Sequence, residues 1–137
     1  MRPGKFTGVL TTDWINPDWE QVHQCKGRNP RWSYITSRGK KICPVDGFLT
    51  DLGSVPRLFQ NIIRRDEYKP SFVIHDYCYD RQMISRREAD AILFESIYTM
   101  ARYSVLRRWI IYLAVRGFGR WAWRLDSNAD RAQECVS

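Results

Sequence analysis

The residues best suited to chemistry lie in the run HDYCY, from His75 to Tyr79. His75 and Tyr79 are one helical turn apart and would share a face of a helix, whereas Asp76 would point roughly 100° away. A histidine with a carboxylate in reach can act as a general base on water, because the carboxylate fixes the tautomer and stabilises the imidazolium. The run therefore predicts a general-base site at His75.

The carboxylate that orients His75 must come from another element, since Asp76 is its direct neighbour. Asp90 is the candidate, because it lies at the edge of an apolar stripe on the next predicted helix, where a carboxylate is costly unless it is paired. Asp76 is then free to hold a hard cation such as calcium, together with backbone carbonyls or Asp51 from the segment 46–54.

Two other interpretations of these residues stay open. A metal site made of Asp51, His75, Asp76 and Asp90 would suit Mg, Mn or Ca better than Zn, because three of its four side chains are carboxylates. Alternatively, the histidine and the aspartates form a structural polar cluster that ties two helices to a loop.

The elements that position these residues change character along the chain. Residues 1–56 predict strands and turns, with a hairpin formed by 34–36 and 41–43 around the turn 37–40. The segment 43–56 predicts a strand that enters an ordered loop. The predicted fold is α+β, with a small N-terminal antiparallel sheet followed by about three packed helices in a single domain, 1–137. Its parts are a β region at about 1–56, a helical region at about 69–119 and a polar tail at 124–137.

Three helices are predicted after the strands. Pro70 suits the first turn of one helix, and the pattern Ser85-x-x-Glu88 predicts the start of the second. A third is expected from Ser104 to Arg116, ending at Gly117. It presents Leu106, Trp109, Ile110 and Leu113 on one face. We expect this helix to pack on the core; the alternatives are contact of its Arg- and Trp-rich part with an anionic membrane or with nucleic-acid phosphates.

The totals describe a folded, basic chain of 137 residues with 22 Lys and Arg against 15 Asp and Glu, a formal net charge of +7. This balance favours anionic partners, namely an anionic phospholipid surface, an acidic protein or nucleic acid, and we expect nucleic acid to be the weakest candidate of the three. We predict neither a signal peptide nor a transmembrane segment. The four cysteines form no CxxC pair, which argues against a structural zinc site.

Three motifs in order resemble a family of small phage and prophage proteins of unknown function. They are GFLTDLGSVPRL (47–58), HDYCY (75–79) and SRREAD (85–90), and a further likeness, AVRGFG, lies at 114–119. The resemblance covers roughly residues 30–119. It implies a phage setting, in the host cytoplasm or the virion, and it brings no activity.

HDxxY followed by an Asp on the next helix is also similar to the core of phospholipase A2 enzymes. That likeness implies that His75 activates water, Asp76 binds calcium and Asp90 orients His75, with Tyr79 supporting the network. The glycine-rich calcium loop of those enzymes has no counterpart here. The expected function is therefore a phage-associated, phospholipase A2-like ester hydrolase; the alternative is a non-enzymatic phage protein, either a virion or tail component or an inhibitor of a host factor.

Overall fold

The computed structural model describes residues 2–16, 19–24, 31–50, 68–100 and 105–128. Within these ranges the chain forms six strands followed by three helices, which confirms the predicted α+β fold with its strands in the N-terminal part. The strands are β1 (Lys5–Thr7), β2 (Thr11–Asn16), β3 (Trp19–His23), β4 (Ser33–Ile35), β5 (Lys41–Ile42) and β6 (Leu49–Thr50). The helices are α1 (Lys69–Arg81), α2 (Arg86–Met100) and α3 (Val105–Asn128).

The strands form two small antiparallel sheets, in the orders β1-β4-β5 and β2-β3-β6. The predicted hairpin is confirmed, because β4 and β5 pair antiparallel with Tyr34 opposite Ile42. The turn before β6 contains Gly47 at φ 86°, a left-handed conformation that favours glycine. The Gly47 and Val22 backbones are joined there by a 2.8 Å hydrogen bond, and Thr50 pairs opposite Glu20. Gly47 therefore helps to align β6 with β3.

The first two helices begin as predicted. Pro70 lies in the first turn of α1, where its missing N–H is not needed. The Ser85 hydroxyl accepts the backbone N–H of Glu88 at 3.1 Å and caps the start of α2. α1 ends at Arg81, and the left-handed φ of 50° at the C-cap residue Gln82 turns the chain toward α2. A short connection thus lays α1 and α2 side by side, with His75 and Asp90 on the two helices.

Two predictions for the third helix are wrong. The helix does not end at Gly117 but continues to Asn128, and Trp123 on the added turns packs against the core cluster that contains Tyr79. Gly117 and Gly119 lie inside the helix and each costs only about 1 kcal/mol relative to alanine, which this packing offsets. The expected core face is also wrong, because Leu106, Trp109 and Leu113 are exposed while Ile111 is buried.

The core consists of two clusters of buried side chains. One joins both sheets to α1 and α2, and includes Val22, Tyr34, Val73, Ile74 and Ala89. The other, made of Tyr68, Phe72, Leu93, Ile97 and Ile111, joins the three helices. α1 contributes to both clusters, so its orientation is fixed from both sides. Within the described ranges, no helix is long and apolar enough to cross a membrane.

Candidate functional site

The centre of the site is a hydrogen-bonded group of His75, Tyr79 and Asp90. His75 Nε2 lies 2.8 Å from Asp90 Oδ1, and the Tyr79 hydroxyl donates to the same oxygen at 2.6 Å. The rings of His75 and Tyr79 also contact each other, with centroids 4.3 Å apart. The structure thus brings together the three residues that the sequence analysis assigned to catalysis.

The other oxygen of Asp90 is held by arginine. Arg116 Nη1, from α3, donates to Oδ2 at 3.0 Å, and Arg86 Nε lies 3.9 Å from the same atom. Arg86 also donates to the backbone oxygens of Val115 and Arg116, which fixes α3 against α2. Asp90 therefore connects all three helices through both of its carboxylate oxygens.

These contacts decide the charge of Asp90. Burial by itself raises the pKa of its carboxyl, but the hydrogen bond and charge of His75, followed by the bonds from Tyr79 and Arg116, outweigh burial and hold the pKa below its usual value. Burial and the hydrogen bond to Asp90 raise the pKa of Tyr79, so its hydroxyl stays protonated and donates. Asp90 is consequently a fixed anion near neutral pH.

An ionised carboxylate only accepts hydrogen bonds, and this determines the tautomer of neutral His75. Nε2 must carry the proton that is shared with Asp90, which leaves the lone pair on Nδ1. The imidazole nitrogen that can take a proton from water is therefore Nδ1. This assignment follows from the hydrogen-bond network and needs no other residue.

Asp76 lies on α1 beside His75 but contacts a different partner. The Thr50 hydroxyl, from β6, donates to Asp76 Oδ2 at 2.5 Å. Asp76 is thus directed toward the sheet, while its neighbour His75 is directed toward α2. This separation agrees with the roughly 100° that divides adjacent residues on a helix.

A second buried acid, Glu20 on β3, was missed by the sequence analysis. Its Oε1 accepts from Lys69 Nζ at 2.7 Å, and among the described residues its Oε2 has no hydrogen-bond partner. Glu20 is the register partner of Thr50, which in turn contacts Asp76. A signal was present in the sequence, because Glu20 and Val22 are two residues apart on a strand and therefore share its buried face.

The predicted calcium site lies partly outside the described residues. Within the described ranges, no group of three or more His, Cys, Asp or Glu side chains could hold a metal ion. Asp51, the other expected calcium ligand, lies outside the described residues. Of the two expected calcium ligands, Asp76 is therefore the one whose surroundings the structure shows; in the alternative four-residue metal site, His75 and Asp90 are described as well and bond each other.

Burial limits access to the site. His75 is 4% exposed, and Tyr79 and Asp90 are also buried. Trp123 of α3 covers part of Tyr79, with its ring edge-on at 5.2 Å.

Burial raises the pKa of the Cys78 thiol to about 12, which makes it a poor nucleophile. Cys43 and Cys78 are free thiols, and Cys25 and Cys135 lie outside the described residues.

The fold and site define an α+β protein with a buried His-Asp-Tyr network on two adjacent helices. The chain belongs to the family described as "Protein of unknown function (DUF1353)", whose sequence profile matches residues 29–115. That match contains His75, Asp76, Tyr79 and Asp90, and ends one residue before Arg116. The predicted membership of a family of unknown function is confirmed, while the phage setting stays a prediction. No curated protein and no solved structure matches the chain.

Proposed function

We propose that the protein is a phospholipase A2-like ester hydrolase in which His75 is the general base. One observation carries the proposal: the buried anion Asp90 engages Nε2 of His75 at 2.8 Å and so leaves Nδ1 as the basic nitrogen. A general base needs this orientation, because a histidine that can flip or change tautomer presents its lone pair only part of the time.

In the proposed reaction, Nδ1 of His75 removes a proton from water as the water oxygen attacks the ester carbonyl carbon. The proton later passes to the leaving alkoxide, which yields a free fatty acid and an alcohol. Asp90 stabilises the imidazolium that forms in between, and Tyr79 and Arg116 keep the Asp90 carboxylate in place. Positioned proton transfer of this kind contributes roughly 10²–10⁴-fold to a rate.

The proposal includes calcium as a separable part, with Asp76 and Asp51 as its ligands. Asp76 fits in type, because calcium prefers carboxylate oxygens, but the described residues do not complete a ligand set. No step of the proposed proton transfer depends on the metal. The proposed substrate surface is anionic phospholipid, which suits the net charge of +7. The motif resemblance supports a phage protein acting in the host cytoplasm or the virion.

A specific observation also favours the non-enzymatic alternative. Asp90 is completely buried and joins α1, α2 and α3 through His75, Tyr79 and Arg116, which is an arrangement that also suits a purely structural role. In that case the protein is a virion or tail component or an inhibitor of a host factor, and His75 serves only as a hydrogen-bond partner of Asp90.

The two functions separate in an assay of fatty-acid release from vesicles of mixed anionic and neutral phospholipid, with and without calcium. His75→Gln is the informative variant, because a glutamine amide can still donate to Asp90 but cannot act as a base. His23→Gln is the matched control, since His23 is the chain's other histidine and lies on β3, with its ring 2.8 Å from Asp13.

The hydrolase proposal expects release by the wild type and by His23→Gln, and a loss of at least about 100-fold in a folded His75→Gln protein. Calcium-dependent release that disappears in Asp76→Asn would support the metal assignment, and calcium-independent release would remove it. If the wild type releases no fatty acid under either condition, the hydrolase proposal is wrong and the structural alternative stands.

A further inference from the structure

The outward face of α3 carries an apolar stripe that nothing in the described structure covers. Leu106 is 75% exposed, Leu113 is 62% exposed and Trp109 is 47% exposed. These residues are spaced by three and four, so they lie along one line of the helix. Large apolar side chains grouped at such spacing mark an interaction surface more often than isolated ones do.

Two arginines lie on the same face of α3, further toward its C-terminal end. Arg120 and Arg124 follow Leu113 by seven and eleven residues, both are exposed, and helix geometry puts them on the face of Leu106 and Leu113. With a rise of about 1.5 Å per residue, the apolar part spans about 10 Å and the basic part ends about 16 Å beyond Leu113. We call this line, from Leu106 to Arg124, the α3 stripe.

Trp109 is held at the surface rather than drawn into the core. Its ring contacts Phe94 of α2 at 4.8 Å and Tyr112 at 5.9 Å. The guanidinium of Arg108 also packs on the Phe94 ring, 4.7 Å from the ring centroid. The indole is therefore partly exposed in a fixed position.

We propose that the α3 stripe docks on a bilayer that contains anionic phospholipid. Tryptophan and leucine enter the boundary between headgroups and acyl chains, while arginines bind the phosphates, and α3 presents both sets along one line. The charge of the protein is complementary to an anionic bilayer, because its formal net charge is +7 and the C-terminal end of the α3 stripe is basic. A surface that is acidic but has no apolar side chains would match the arginines and would leave two leucines and a tryptophan without an apolar partner.

This docking surface is separate from His75 and does not depend on the hydrolase proposal. Its test measures binding to vesicles of ether-linked phosphatidylcholine, with and without 30% ether-linked phosphatidylglycerol. Such lipids contain no acyl ester, so hydrolysis cannot alter the vesicles. Binding without release from ester lipids would leave the docking proposal intact, and release without binding to ether lipids would leave only the hydrolase.

Two variants and two controls locate the surface. Leu106→Ser combined with Leu113→Ser removes apolar contact, and Arg120→Gln combined with Arg124→Gln removes charge. Val9→Ser is the apolar control, because Val9 is exposed to the same 75% as Leu106 but lies in the loop between β1 and β2. Lys41→Gln is the charge control, on β5.

The wild type is expected to bind anionic vesicles in co-sedimentation, with binding that weakens at 0.5 M salt. The leucine pair and the arginine pair should each reduce binding by about tenfold or more, while Val9→Ser and Lys41→Gln change it by less than about twofold. Equal binding of the variants and the wild type would overturn the proposal, as would absence of wild-type binding. Self-association of the protein that the leucine pair abolishes, or binding of polyglutamate in place of vesicles, would also overturn it in favour of a second copy or an acidic protein.

Discussion

Among the described residues, the strand part and the helical part of the protein each bury one carboxylate, and the two carboxylates differ in how they are hydrogen-bonded. Asp90 has partners on both oxygens, from His75, Tyr79 and Arg116. Glu20 is equally buried but is bonded through Oε1 to Lys69 alone, among the described residues. A fully bonded buried charge is fixed in position, whereas one with a single partner is only neutralised. Asp90 is thus suited to orient another group, and Glu20 is suited only to joining β3 to α1.

The largest effect should follow from Asp90→Asn. This change removes a buried anion and leaves Arg116 and His75 with a neutral partner, so we expect the free energy of unfolding to fall by about 3–5 kcal/mol. Urea denaturation followed by circular dichroism measures it. Asp80→Asn is the control, because the contact of Asp80 with Arg81 is a surface ion pair at 3.4 Å and should contribute less than about 1 kcal/mol. A loss below about 1 kcal/mol in Asp90→Asn would show that the network does not stabilise the fold.

Substitutions in the Glu20–Lys69 ion pair should lower the free energy of unfolding by less than Asp90→Asn does. Replacing Lys69 should cost more than replacing Glu20. Lys69→Met leaves Glu20 buried without a cation and should lower the free energy of unfolding by about 2–3 kcal/mol. Glu20→Gln should lower it by only about 1 kcal/mol, because the Lys69 side chain is 27% exposed and can reach water. The same urea titration gives both values. Equal losses, or a loss from Glu20→Gln that exceeds that of Asp90→Asn, would contradict the comparison.

Two buried tyrosine hydroxyls, one bonded to Asp90 and one without a partner among the described residues, test the contribution of a single hydrogen bond to Asp90. Tyr79→Phe removes one hydrogen bond to Asp90 and should lower the free energy of unfolding by about 1–2 kcal/mol. Tyr68→Phe is the matched control, since Tyr68 is also buried but its hydroxyl has no partner among the described residues. Removal of that hydroxyl should be neutral or stabilising. If both variants lose the same free energy, the bond from Tyr79 to Asp90 contributes nothing specific.

The smallest expected effect is the change in the free energy of unfolding with pH that comes from Asp90. This change is small because burial opposes the hydrogen bonds that lower the pKa of Asp90. A carboxyl whose pKa is lowered by folding adds stability above its unfolded pKa of about 3.9 and loses that stability as pH falls through the folded pKa. The wild type should therefore lose stability below about pH 4, and its advantage over Asp90→Asn should narrow there. Unfolding free energies of the two proteins measured between pH 2 and 7 test this. A gap that stays constant down to pH 2 would argue against ionised Asp90.

Local sequence signals predicted the elements that position the site. The hairpin, the start of α1 at Pro70 and the cap at Ser85 each depend on residues close together in the chain. The pairing of His75 with Asp90 was also predictable, because a carboxylate in an apolar stripe needs a partner and few polar residues were in reach. In each of these cases the residues nearby in the chain allowed only one structure.

Tertiary packing decided what the sequence could not. α3 has one apolar line through Leu106 and Leu113 and another through Ile111, Ala114 and Val115, and the sequence analysis identified only the first. The helix in fact packs on the second line. The same choice of face carries Arg116 to Asp90, so the contact was missed along with it.

The measurement that tests the central claim most directly is fatty-acid release by the wild type and His75→Gln, each first shown to be folded by urea denaturation. If His75 oriented by Asp90 is the general base, the wild type releases fatty acid and the folded variant is slower by at least about 100-fold. Equal rates in the two proteins, or no release by the wild type with a less stable variant, would contradict the claim and leave His75 as a structural partner of Asp90.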